Sequence, residues 1–184
     1  MTMEEKQTPF QAAVRPGLTI GLVSVALTFL VYFIDSSLLV AGWFGLVALA
    51  IFFVLVIFFG RQYRAELGGF MTFGVAFNFS FITMVVAGLI SIIGGILLYQ
   101  VIDPALPSVL AEQSVENTLE MMESFGASAD SMSAEQLDEM RNSISDGFSL
   151  IGQIKSFGFA LIFYAILSLI TGAILKKKDK SLDY

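Results

Sequence analysis

Apolar residues fall into long runs broken by short polar groups, with one extended polar stretch before the last run. The longest run, Met71 to Ile102, has 32 residues and no charge. At about 1.5 Å of rise per residue a helix over it reaches ~48 Å, more than the ~30 Å of a hydrocarbon core. Small or weakly polar residues recur along it at four-residue spacing: Thr72, Ala76 and Ser80, then Thr83, Ala87, Ser91 and Gly95. Such a seam lets neighbouring backbones come close, which is how helices associate in lipid. This helix is expected to be the packing centre of a bundle.

The other runs are read against it. Residues 1–16 form a polar tail with Pro9 and Pro16, and a first span covers 18–34. Pro16 suits a first helical turn, and Gly17 with Gly21 makes a GxxxG whose face serves either a dimer or close packing inside one bundle. The run is too long for a signal-peptide core of ~7–15 residues and lacks a small-residue cleavage site, so the span is retained. Asp35, Ser36 and Ser37 supply capping side chains for a turn. A second span covers about 38–59, starting at Leu38 or only after Gly42, and Gly60 ends it. The segment RQYRAELGGF is expected to lie on the membrane surface, with Arg61 and Arg64 toward lipid heads.

Residues 103–148 are different in kind. Asp103 to Gly147 holds ten acidic residues against one Arg141, and Pro104 and Pro107 mark an exit from the apolar layer. Two amphipathic helices are predicted, one with Val115, Leu119, Met122 and Phe125 on a face, the other with Leu137, Met140, Ile144 and Phe148. Ser133 and Gln136 form a capping box, with Met132 and Leu137 placed as a hydrophobic staple. The second helix is expected to run on into a fourth span within 149–175, followed by a basic tail, 176–184. The hairpin is too small to be stable alone, so its apolar stripe packs on itself, on the span ends, or on a partner.

Composition agrees with this pattern: 56% apolar and 14% charged residues, with a mean hydropathy of +0.80, mark an integral membrane protein. The fold class expected is all-α, a membrane four-helix bundle with an extracytoplasmic acidic amphipathic hairpin between the third and fourth spans. Basic residues near span ends set orientation. With four spans, Lys6, Arg15, Arg61, Arg64, Lys176, Lys177, Lys178 and Lys180 share one side, and Arg141 and Lys155 the other. Both termini are therefore expected in the cytoplasm and the hairpin outside.

Candidate chemistry is sparse. Histidine and cysteine are absent, which removes the commonest general base and the thiolate ligands. The spans as read contain no ionisable residue except Lys155 at the boundary of the fourth, where it snorkels or pairs with Asp35 or Asp103. Asn78 is the candidate for an interhelical hydrogen bond. Glu116, Glu120 and Glu123 with Met121 and Met122 lack the spacing of a calcium loop or a thioether copper site and read as a solvated face. Neither a cofactor, a metal nor a catalytic residue is expected, and the acidic balance excludes nucleic acid. Lys176, Lys177 and Lys178 join Arg61 and Arg64 as candidate lipid-head contacts.

The opening MTMEEKQTPF, the entry RQYRAELGGFMTFGVAFNFSF, the exit IDP and the close ILKKKD resemble the domain of unknown function 4199 family of small membrane proteins, found mostly in Bacteroidota. The most distinctive part is Tyr63, Arg64, Gly69, Thr72, Phe73, Gly74, Ala76 and Phe77. The resemblance implies four helices in the inner membrane and no established activity. In that lineage Asp130, Ser131 and Met132 also look like a periplasmic O-glycosylation acceptor, with Ser131 modified. The reading is a non-enzymatic accessory or scaffold subunit acting on the lipid bilayer and a membrane or periplasmic protein partner. The alternatives are a small carrier or lipid-handling protein with a groove beside Asn78, Ser80 and Thr83, or a helper of a polyprenyl-lipid glycosyltransferase.

Overall fold

The computed structural model describes residues 7–126 and 132–178. Its helices are α1 (Pro9–Ile34), α2 (Gly42–Glu66), α3 (Phe73–Ile96), α4 (Leu106–Ser124), α5 (Ala134–Phe148) and α6 (Leu150–Leu175). A 3-10 turn, Ser36–Val40, precedes α2, and α3 continues into a π-helical turn, Leu97–Ile102. The described residues contain no strand beyond one isolated bridge between Met71 and Lys177. Four helices are long and apolar enough to span a membrane: α1, α2, α3 with its π turn, and α6. The protein is a multi-pass membrane protein of all-helical fold.

Helix boundaries depart from the sequence expectation in three places, each for a local reason, while the start of α2 falls at the later of the two positions left open. Helix α1 starts at Pro9, because Thr8 and Gln11 form a capping box: the Thr8 hydroxyl accepts the Gln11 N–H at 3.3 Å and the Gln11 side chain accepts the Thr8 N–H at 3.1 Å. Pro16 therefore lies inside the helix, as prolines do in membrane helices whose neighbours support the freed backbone. Helix α2 begins at Gly42, after the 3-10 turn, and passes through Gly60 to Glu66. It stops at Gly68 and Gly69, both at φ +90, where the N–H of Gly69 bonds Arg64 O and that of Gly68 bonds Ala65 O. That is a Schellman stop, which needs glycine for its left-handed residues. RQYRAE is thus an added helical segment and not a surface loop. Helices α5 and α6 are separate: Ser149 is extended, at ψ 160, and its hydroxyl accepts the Gly152 N–H at 3.0 Å to start α6.

The chain divides into two compact units, Met1–Ser24 with Leu49–Ser91 and Gly158–Tyr184, and Val25–Ala48 with Ile92–Phe157. The first unit holds two apolar clusters, one around Tyr63, Met71, Ala76, Phe79 and Leu175, the other around Ile20, Val56, Met84 and Ala87. The second holds a cluster of Leu98, Leu106 and Leu110 against Phe29, Tyr32, Leu39, Val40, Tyr99 and Phe148.

Candidate functional site

Helix α3 is the most enclosed span, with 33% of its apolar window buried against 6%, 17% and 22% in the others. Of the seam residues, Ala76, Ser80, Thr83 and Ala87 are buried, Ser91 and Gly95 are half-buried, and Thr72 is exposed. Thr72 precedes the helix and its hydroxyl accepts the Val75 N–H at 3.4 Å, so it caps α3 rather than extending the seam. Among the described residues the buried Ser80 hydroxyl has no hydrogen-bond partner. Asn78 is exposed, and its carboxamide bonds no other helix among the described residues.

Within the first unit the seam receives α1. The Thr83 hydroxyl donates to the Ala13 carbonyl at 3.5 Å. A Cβ on Gly17 would lie 2.6 Å from Val86 Cβ and 2.9 Å from the Thr83 carbonyl oxygen, and one on Gly21 would lie 2.6 Å from Ile90 Cβ. The GxxxG face is therefore filled by α3 of the same chain. Helix α6 also comes close to α3, with Gly172 against the Phe73 ring and the Ser168 hydroxyl 3.7 Å from the Met84 sulfur.

The basic residues expected at lipid heads divide by role. The Arg64 guanidinium donates to the carbonyl of Leu175, the last residue of α6, at 3.1 Å. Lys177 exchanges two backbone bonds with Met71, at 2.8 and 2.9 Å, and its ammonium lies 5.6 Å from the centre of the Phe70 ring. These two residues pin the end of α6 to α2 and to the start of α3. Arg61, Lys176 and Lys178 are exposed. The first unit also holds a groove of about 1050 Å³. Its polar lining is Gln11, Arg15 and Thr19 of α1, Gln7 just before it, and Gln62 and Glu66 of α2; Pro16, Phe59 and Phe79 are among its apolar lining. Tyr63 fixes this wall: its hydroxyl donates to the Gln7 carbonyl at 2.9 Å and its ring stacks on Phe79 at 5.0 Å. Among the described residues the one ion pair joins Arg141 to Asp138, so neither Arg15 nor Glu66 has a charged protein partner. The groove is the feature that sequence reasoning missed, although Gln11, Arg15, Gln62 and Glu66 are polar side chains near the ends of two consecutive spans.

In the second unit Asp103 is the centre of polar contacts. Its carboxylate accepts the Tyr32 hydroxyl at 3.0 Å and the N–H groups of Ala105 and Leu106 at 3.2 and 3.1 Å, which starts α4. Helix α4 also meets the 3-10 turn, where the Asn117 carboxamide donates to the Val40 carbonyl at 3.2 Å. The Ser37 hydroxyl and N–H, 2.7 and 2.9 Å from Asp35, hold that carboxyl below its ordinary range. Helix α4 contacts α5, with Val115 buried and Leu119 and Met122 half-buried. Phe125, expected on that packed face, lies past the helix end and is 84% exposed. Lys155 is exposed and pairs with neither Asp35 nor Asp103. Ser131 lies outside the described residues.

The chain matches the model of the family described as Protein of unknown function (DUF4199) over residues 15–177, and it belongs to that family. Neither the curated proteins nor the solved structures yield a match.

Proposed function

Starting from membership of a family without an established activity, we propose that this chain is a non-enzymatic accessory or scaffold subunit of the bacterial inner membrane. Both termini face the cytoplasm, and α4 with α5 forms an acidic hairpin on the periplasmic side that docks on a membrane or periplasmic protein. The carrying observation is the end of α4. Among the described residues Phe125 is the most exposed of the large apolar side chains and Met121, one turn before it, is 55% exposed, while Glu116, Glu120 and Glu123 lie on another face of the same helix. An exposed aromatic and an exposed thioether side by side, with a charged face on the same helix, have the make-up of an interface anchor beside a polar margin. The rest of the α4 stripe is covered from within the chain, so the end of the helix is what remains for a partner.

The test is site-specific photo-cross-linking in native membranes, with the reactive group at 121 or 125 and, as controls, at the lipid-facing positions Leu46 and Ile93. One defined adduct at the α4 positions, absent from the controls and lost with a charge at 125, supports the reading. The same adduct pattern at all four positions, or none at 121 and 125, refutes it.

A further inference from the structure

We propose that the groove lined by α1 and α2 holds the head of a zwitterionic phospholipid of the phosphoethanolamine type, with its phosphate on Arg15 and its ammonium on Glu66. This goes beyond the partner-docking role and does not depend on it. The groove's depth follows from the two helices that line it. The apolar run of α1 begins three residues after Arg15, and that of α2 ends at Phe59, seven residues before Glu66. At ~1.5 Å per residue that is about 5 and 10 Å from the apolar edge, the level of the head groups outside a ~30 Å core. This placement holds whichever side of the membrane the groove faces.

Its charge pattern selects the ligand. One cation comes from α1 and one anion from α2, and neither is matched by any protein group among the described residues. A guanidinium presents parallel N–H donors to phosphate oxygens, and a carboxylate accepts from a primary ammonium. Gln62 and Gln11 add amide groups to the same lining; the Gln11 oxygen is already engaged by Thr8, which leaves its NH₂ to donate. An anionic head lacking the ammonium would set its phosphate near Glu66 with nothing to offset the carboxylate. The volume, about 1050 Å³, lies just above the ~300–1,000 Å³ of small-molecule sites. The half-buried apolar lining of Phe59 and Leu67 suits the glycerol and first acyl carbons.

The test is native mass spectrometry of the full chain in detergent, titrated with dioleoyl phosphatidylethanolamine, dioleoyl phosphatidylglycerol and water-soluble O-phosphoethanolamine. Wild type should retain the ethanolamine lipid about two- to fivefold better than the glycerol lipid, the range of a solvent-exposed charge pair. Glu66→Gln should abolish that preference and Arg15→Gln should lower retention of both lipids. Arg61→Gln, at an exposed arginine outside the groove, should change neither. Arg15 and Glu66 make no ion pair among the described residues, so both variants should keep the wild-type unfolding temperature, which separates lost binding from lost folding. Equal retention of the two lipids by wild type overturns the proposal, as does an Arg61→Gln effect equal to that of Arg15→Gln. Displacement of the lipid by O-phosphoethanolamine at equal concentration would assign the groove to a soluble ligand and overturn it as well.

Discussion

Gly17 and Gly21 bring α1 against α3 because a missing side chain leaves room there. A methyl group at either position would overlap Val86 or Ile90 and press on a backbone carbonyl of the facing helix. Gly17→Ala and Gly21→Ala should each lower stability in detergent by about 1–3 kcal/mol, the cost of overpacking a close contact. Gly158→Ala, where a Cβ meets nothing within 4 Å, should leave the unfolding temperature unchanged or raise it. The glycine pair was legible in the sequence, but its partner was not. Local spacing shows only that something approaches, whereas the bulges that fill the notch, Val86 and Ile90, belong to a span some seventy residues away. Asp35 gives a second test at this scale. Its folded pKa lies below the ordinary value, so the carboxylate cap contributes stability above the unfolded pKa and loses it as pH falls through the folded one. Ser37→Ala removes the hydroxyl bond, the larger cause, and should move the Asp35 titration upward toward 3.8, read by NMR of the carboxyl carbon.

Elements end where backbone geometry permits, and this is why α2 runs past its apolar stretch to Glu66. A glycine inside an apolar run can stop a helix or admit a neighbour. Gly60 does the second: a Cβ there would collide with Leu175. Gly68 and Gly69 do the first, through φ values that only the folded backbone displays. Other boundaries were written in the sequence. The Ser133 box of α5 was legible, and Thr8-Pro9 with Gln11 carries the same signal for α1. Asp103 shows how one residue serves two elements, since it caps α4 and receives the Tyr32 hydroxyl of α1. Asp103→Ala should cost about 1–2 kcal/mol, the scale of a lost helix cap, and speed hydrogen exchange at Ala105 and Leu106. Tyr32→Phe removes the bond from α1 alone, so it should cost about 1 kcal/mol or less and leave those two amides protected.

At the scale of the whole chain, charge is sorted by unit. Arg15, Arg61, Arg64, Lys176, Lys177 and Lys178 belong to one compact unit, and Arg141 and Lys155 to the other. Lys177 is paired with Met71 and Arg64 with the end of α6, so the start of α3 and the ends of α2 and α6 are held together. In the orientation proposed above, which follows the preference of basic residues for the cytoplasm, the α4 end lies outside. The groove was harder to read than the topology. Arg15 and Glu66 are fifty-one positions apart, and only the packing of Tyr63 on Phe79 and Gln7 brings their helices to one wall. Orientation can be tested cleanly, because the chain has no cysteine. Phe125→Cys and Lys178→Cys both sit at exposed positions. A membrane-impermeant maleimide added to intact spheroplasts should label the cysteine at 125 and spare the one at 178, which should react only after permeabilisation. The opposite pattern would invert the protein. Labelling of both from outside would place the end of α6 and the end of α4 on the same face, leaving α6 without a crossing despite its 26 apolar-rich residues.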